Sequence, residues 1–110
     1  FLSETRSITK GMSGWTTDKE ELYNNSSGRL LETAEPLALG KQSWAGRDGA
    51  QQQAEAVCVW TNRYNGKTRV FATTLGHNNV TVGDDRYLDL VTRGMLWAVG
   101  RLDEAGAVKP

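Results

Sequence analysis

Two runs rich in β-branched and aromatic residues, Glu55–Tyr64 and Lys67–Leu75, meet at Asn65-Gly66. Nothing else constrains this chain so tightly. Asn-Gly is the strongest short hairpin signal, because both residues tolerate the positive φ that a two-residue turn needs. Such a turn predicts that Tyr64 faces Lys67, Trp60 faces Phe71, Cys58 faces Thr73 and Ala56 faces Leu75. The other face then carries Val57, Val59, Thr61, Val70, Ala72 and Thr74. A hairpin wet on one side alternates apolar with polar. This one is apolar on both faces around its middle, which implies cover on both sides.

Asp84–Arg101 reads as the one long helix, with Asp84 or Thr81 as its cap. Leu88, Val91, Met95, Ala98 and Leu102 form an apolar stripe at three- and four-residue spacing. Leu90, Leu96, Trp97 and Val99 widen the apolar surface beyond it. Gly94 costs about 1 kcal/mol in a helix interior, so it marks the close approach of another backbone. Leu30–Leu39 reads as a strand that Pro36 demotes to an edge or a bulge. Gly40–Gln53 has no periodicity and reads as a surface loop, long enough to suggest function. Phe1–Gly14 reads as irregular, Thr17–Glu20 has capping-box spacing for a brief helical turn through Tyr23, and Asp103–Pro110 as a fraying tail.

Composition removes several function classes. With 13 Lys+Arg against 13 Asp+Glu, the chain has no electrostatic footprint for nucleic acid or an anionic membrane. No apolar run reaches the roughly 18 residues of a membrane span. A single cysteine, Cys58, excludes an internal disulfide framework and a cysteine-based zinc site. It sits mid-strand, where an inert packed thiol is expected. The 110 residues fit one domain. Phe1 is no initiator methionine and no signal-peptide pattern follows it, so either a leader was removed or the chain is a piece of a longer one.

His77 follows the second hairpin strand in Thr74-Leu75-Gly76-His77-Asn78-Asn79, and it is the only imidazole. Strand ends followed by glycine and polar residues are where α/β folds build ligand sites. Two readings stay open here: a histidine that orders the loop, or an acid–base group or metal ligand. Glu20-Glu21 are adjacent and point apart, so no paired-carboxylate device follows from them. Asp84-Asp85 is explained by helix-terminus electrostatics. One histidine among scattered carboxylates specifies neither a metal nor a cofactor. Trp60 and Trp97 are core candidates; Trp15 and Trp44, in irregular segments, are the better ligand platforms.

Several segments together resemble the ThuA-like (trehalose utilisation) family. Ser7-Ile8-Thr9-Lys10-Gly11-Met12 followed by Glu20-Glu21-Leu22-Tyr23-Asn24 is similar to its "HPIT-x-G … DELY" stretch. Cys58–Phe71 is similar to its "P-V-x-W-T-x-x-Y-G-K-G-R-V-F" hairpin, Thr73–His77 to "T-x-L-G-H", and Arg93–Ala98 to "x-G-I-L-W-A". The family's His-Pro is replaced by Arg6-Ser7, and the hairpin glycine is shifted by one. The resemblance implies an α/β, flavodoxin-like fold similar to class I glutamine amidotransferases, without their cysteine-based catalytic set. It implies that residues 1–102 are the C-terminal part of such a domain, contributing an antiparallel hairpin and a terminal helix, with 103–110 as a tail. It links the chain to trehalose or keto-sugar utilisation, in bacteria including planctomycetes, and favours a periplasmic or secreted location over a cytoplasmic one.

On that basis the expected catalytic pair is His77 and Glu21, with Asn78, Asn79, Tyr23 and Trp44 binding a carbohydrate. The alternative is a non-catalytic interaction or scaffold domain of a larger protein or assembly. Apolar surface left wet on hairpin and helix, at about 25 cal/mol per Å2, weighs heavily against a typical stability of roughly 5–15 kcal/mol. The chain is therefore expected to need cover from the rest of its domain or from another chain. Alone, it should self-associate or melt without cooperativity.

Overall fold

The computed structural model describes residues 4–17, 20, 22 and 32–110. A 3-10 helix over Glu4–Thr9 is followed by strands β1 (Glu35–Ala45), β2 (Gln51–Tyr64) and β3 (Thr68–Thr73), then helices α1 (Asn79–Val82) and α2 (Asp85–Ala98). The strands form one antiparallel sheet in the order β1-β2-β3. The fold is thus α/β, with α2 packed on β3 and the 3-10 helix packed on α2.

The β2–β3 hairpin exists as expected, but in a different register. Tyr64 pairs with Thr68, Thr61 with Phe71, Trp60 with Ala72 and Val59 with Thr73. Asn65 and Gly66 do take positive φ, 53° and 71°. Lys67 also stays in the turn, its N–H donating to Tyr64 O at 3.0 Å, so the connection has one more residue than a two-residue loop. A one-residue slip exchanges the faces of a whole strand. Trp60 and Phe71 consequently lie on opposite faces, not side by side.

The segment expected to be a loop is a strand pair instead. Lys41 pairs with Glu55, Ser43 with Gln53 and Trp44 with Gln52, and the turn closes where Gly46 N–H donates to Ala50 O at 2.8 Å. Asp48 Oδ1 accepts from Ala50 N–H at 2.9 Å and Gly49 takes φ +80°, both ordinary turn chemistry. Pro36 lies, as expected, on an edge strand, beside register shifts between Pro36 and Leu39. Beyond those shifts the β1–β2 ribbon projects from the body. The radius of gyration is 15.4 Å and the longest extent 55 Å, against a radius of about 13 Å for a compact chain of this length.

Helix α2 starts at its expected cap: Asp84 Oδ1 accepts from Arg86 N–H at 2.8 Å. It ends three residues before Arg101. Gly100 takes φ +74°, its N–H donates to Trp97 O, and Arg101 N–H donates to Leu96 O. That paired arrangement is a Schellman stop. The buried face is Leu90, Gly94 and Trp97, not the predicted stripe; Leu88 and Met95 of that stripe are exposed. Gly94 is needed for a side chain, because a Cβ there would lie 2.5 Å from the Phe71 ring.

The core joins Ile8, Cys58, Val59, Leu90, Trp97 and Leu102. Arginines close its margins. Arg69 donates to Trp97 O at 2.6 Å and lies 4.9 Å from the Trp97 ring centroid. Such a cation suits a helix C-terminus. Arg93 donates to Lys10 O at 2.6 Å, and Arg86 covers the Trp15 ring at 5.3 Å, fixing the segment after the 3-10 helix to α2. The C-terminal residues do not fray: Leu102 bridges Val108, and Asp103 Oδ1 accepts from Ala105 and Ala107 N–H at 2.9 Å.

Candidate functional site at the His77 turn

The sheet ends where two donors converge on one carbonyl. Thr73 Oγ1 and Thr74 N–H both donate to Cys58 O, at 2.9 and 3.0 Å. The chain then leaves β3 through Leu75 and Gly76. Gly76 takes φ +108°, and a Cβ there would lie 2.8 Å from Tyr87 Oη of α2. Glycine is required twice over, by conformation and by space.

His77 comes next and is exposed. Its backbone N–H donates to Glu20 Oε1 at 2.7 Å across 57 residues of sequence. A carboxylate accepting an N–H bond is among the stronger hydrogen bonds, so this contact holds the turn in place. Glu20, one of the two adjacent carboxylates expected near His77, makes it; Glu21, the preferred one, and Tyr23 lie outside the described residues. Asn78 caps α1, its Oδ1 accepting from Thr81 N–H at 3.0 Å, and Asn79 begins that helix with its side chain exposed. Thr81 is only 3 % exposed and its hydroxyl has no hydrogen-bond partner among the described residues.

Leu22, two residues past Glu20, covers the base of the ribbon. Its Cδ1 lies 2.7 Å from where a Gly40 Cβ would be, and that same position is 3.6 Å from Cys58 Sγ. Glu20 and Leu22 therefore tie the His77 turn to the start of the β1–β2 ribbon. Trp44 is on that ribbon, 43 % exposed and paired with Gln52. β3 stops level with Val59, seven residues along β2 from Gln52, or about 23 Å at the usual strand rise. His77, Asn78, Asn79 and Glu20 are thus brought together, and Trp44 is placed out on the ribbon.

The remaining candidates take structural positions. Trp97 is 2 % exposed, and Cys58 is buried with Sγ donating to Ala38 O at 3.7 Å. Burial pushes the Cys58 thiol above its ordinary pKa, a backbone hydrogen bond pulling the other way. Trp15 has the Arg86 guanidinium over its ring. Asp84 is held at about 2 chiefly by the Arg86 side chain, at 2.7 Å, and then by the Arg86 N–H, which fits a helix cap. Among the described residues no three His, Cys, Asp or Glu side chains gather as a metal site, and no helix is long and apolar enough to cross a membrane. Two shallow concavities lie away from His77. One, of about 610 Å3, runs along the ribbon between Lys41–Ser43 and Gln53–Glu55. The other, of about 530 Å3, lies between Arg69, Trp97 and Asp103–Ala105. Sequence reasoning offered Glu20 beside the preferred Glu21 as the carboxylate near His77, and gave no sign that the contact would be to the backbone N–H.

A three-stranded antiparallel sheet backed on one side by a long helix, with a histidine turn clamped at the sheet's end, defines a small α/β domain. The ThuA family model, described as trehalose utilisation, matches residues 2–98. The chain belongs to that family. No curated protein and no solved structure matches it.

Proposed function

We propose that this chain is a carbohydrate-utilisation domain that binds or processes a sugar at the His77 turn. The observation that carries this reading is the Glu20–His77 contact. Two family motifs, 57 residues apart, meet so that the backbone of His77 is fixed while the residue as a whole is exposed. In this reading His77 is the acid–base group or ligand-binding group, Glu21 its carboxylate partner, and Asn78, Asn79 and Tyr23 the hydroxyl-binding groups. Asparagine amides both donate and accept, which suits sugar hydroxyls. The family's association with trehalose supports the ligand class.

The test is a calorimetric titration of the chain with trehalose and with keto-sugars, wild type against His77→Ala. Binding that is lost on substitution, with an unchanged melting temperature, is the expected result. Unchanged binding with a large fall in melting temperature assigns His77 to the architecture instead. A second reading, an interaction domain of a larger assembly, is favoured by one observation. Leu88, Met95 and Val99 lie along the outer side of α2 and are exposed, Met95 by 63 %. Concentration-dependent sedimentation that Met95→Lys abolishes supports that reading.

A further inference from the structure

The β1–β2 ribbon has two faces, and one of them is unusual in composition. Past the bulge the register is regular from Leu39–Val57 to Ala45–Gln51, so side chains alternate strictly. Gly40, Gln42 and Trp44 share one face with Ala56, Ala54 and Gln52, because directly paired residues project to the same side. Cys58 Sγ beside Gly40 confirms the side. This face has no charged residue, whereas Lys41 and Glu55 lie on the other. Its floor is Ala54 and Ala56, which barely rise above the backbone, with Gly40 covered by the Leu22 side chain. Leu22 bounds it at the base and Trp44 at the outer end, with Gln42 and Gln52 beside the ring. Gln42, Trp44 and Gln52 are all exposed.

We propose that this face is a saccharide-binding trough, in which Trp44 stacks on a sugar ring and Gln42 and Gln52 bond its hydroxyls. The chemistry selects the ligand. A low neutral floor excludes salt-bridged ligands from its strongest contacts, since it has no charge to pair with them. An exposed indole offers a flat apolar surface to the C–H face of a pyranose, and the two amides supply donors and acceptors around its edge. With Leu22 over Gly40, the open floor runs from Ala54 to the Trp44–Gln52 pair, two residues or about 7 Å at the strand rise, room for one ring. The base end adjoins the segment that holds His77, through Glu20 and Leu22. This trough rests on the carbohydrate reading of the His77 turn for its ligand class, and its ligand is a neutral saccharide with one ring seated against Trp44.

The experiment follows the Trp44 indole N–H signal by NMR on the intact chain during titration with glucose, trehalose, maltotriose and cellotriose, and measures the affinities of the Trp44 variants by calorimetry. Three variants accompany it: Trp44→Tyr, which keeps a platform, Trp44→Thr, which keeps a good strand residue without one, and His77→Ala. Expected are a saturating shift of the Trp44 signal with glucose as well as with the multi-ring probes, and near-normal affinity in Trp44→Tyr. Trp44→Thr should bind at least roughly tenfold more weakly, equivalent to about 1.4 kcal/mol. Retention of the Trp44 shift in His77→Ala supports the trough even if the His77 reading fails. Binding lost in His77→Ala but unaffected in Trp44→Thr overturns the trough and leaves the His77 reading standing. No movement of the Trp44 signal with any probe overturns it as well, and so does equal behaviour of the Thr and Tyr variants.

Discussion

Replacing Gly94 by alanine sets two effects of known sign against each other. In an open helix the change stabilises by about 1 kcal/mol, through lost backbone freedom in the unfolded chain and better propensity. Here the new Cβ would lie 2.5 Å from Cγ, Cδ2 and Cε2 of Phe71. Three ring atoms, not the tip of a flexible chain, are in the way, so the helix or the ring must move. Overpacking of this kind costs about 1–3 kcal/mol. The net expectation is destabilisation by about 1 kcal/mol, a fall in Tm of roughly 5 °C for a domain of this size. The assay is urea unfolding of wild type, Gly94→Ala, Phe71→Ala and the double variant. On the Phe71→Ala background, Gly94→Ala should become stabilising by about 1 kcal/mol, because only the helix effect remains. That gives a coupling of about 2 kcal/mol, which residues in contact can show and distant ones do not. A Gly94→Ala protein more stable than wild type, with no coupling to Phe71, would refute the packing argument.

Arg69→Met should lower stability by about 1.5–3 kcal/mol in urea, since it removes a charged donor from Trp97 O; Arg69→Lys should recover only part, as an ammonium lacks the planar face that lies over the indole. Asp84 is lowered from the ordinary 3.8 to about 2, so its stabilising contribution is complete above about pH 4 and is lost as pH falls towards 2. Asp84→Asn should flatten that acid limb in thermal melts, and an unaltered limb would count against the cap. Cys58, its thiol raised by burial, should label slowly with iodoacetamide in the native state and quickly in urea. Because its folded value is the higher one, its contribution is present below the ordinary thiol range and lost as pH rises through the raised value, a limb that Cys58→Ala should remove.

Local chemistry made parts of this fold legible. Asp84 was readable as a cap because a short acidic side chain before an apolar run has few other uses. Pro36 was readable as an edge residue because it lacks the donor that a central strand needs. The hairpin register was not, since whether Lys67 belongs to the turn or to the ladder depends on backbone geometry that Asn65-Gly66 does not determine. The ribbon was illegible for a different reason. A strand pair wet on both faces has no inside, so nothing selects alternation, and hydrophobic periodicity cannot reveal it. On α2, two apolar stripes at helical spacing compete; the sheet takes the one with Gly94, where Phe71 fits. At the candidate site the motif pointed to the carboxylate pair but not to Glu20 over Glu21, because one position along the chain decides which carboxylate meets His77 N–H.

The ribbon also gives the molecule a graded resistance to opening. Near Val59 the ladder is three strands wide and packed on the core, whereas from Gly40 to Ala45 it is a two-stranded stem. Opening the outer pairs exposes little apolar surface and breaks only the ladder bonds between them, so those amides should exchange fastest, and protection should climb pair by pair towards the base. Trypsin should find Arg47, in the turn at the stem's end, before it finds the arginines held against Trp97 and Lys10. A stem that opens from its tip lets Trp44 change its surroundings while the sheet below stays shut.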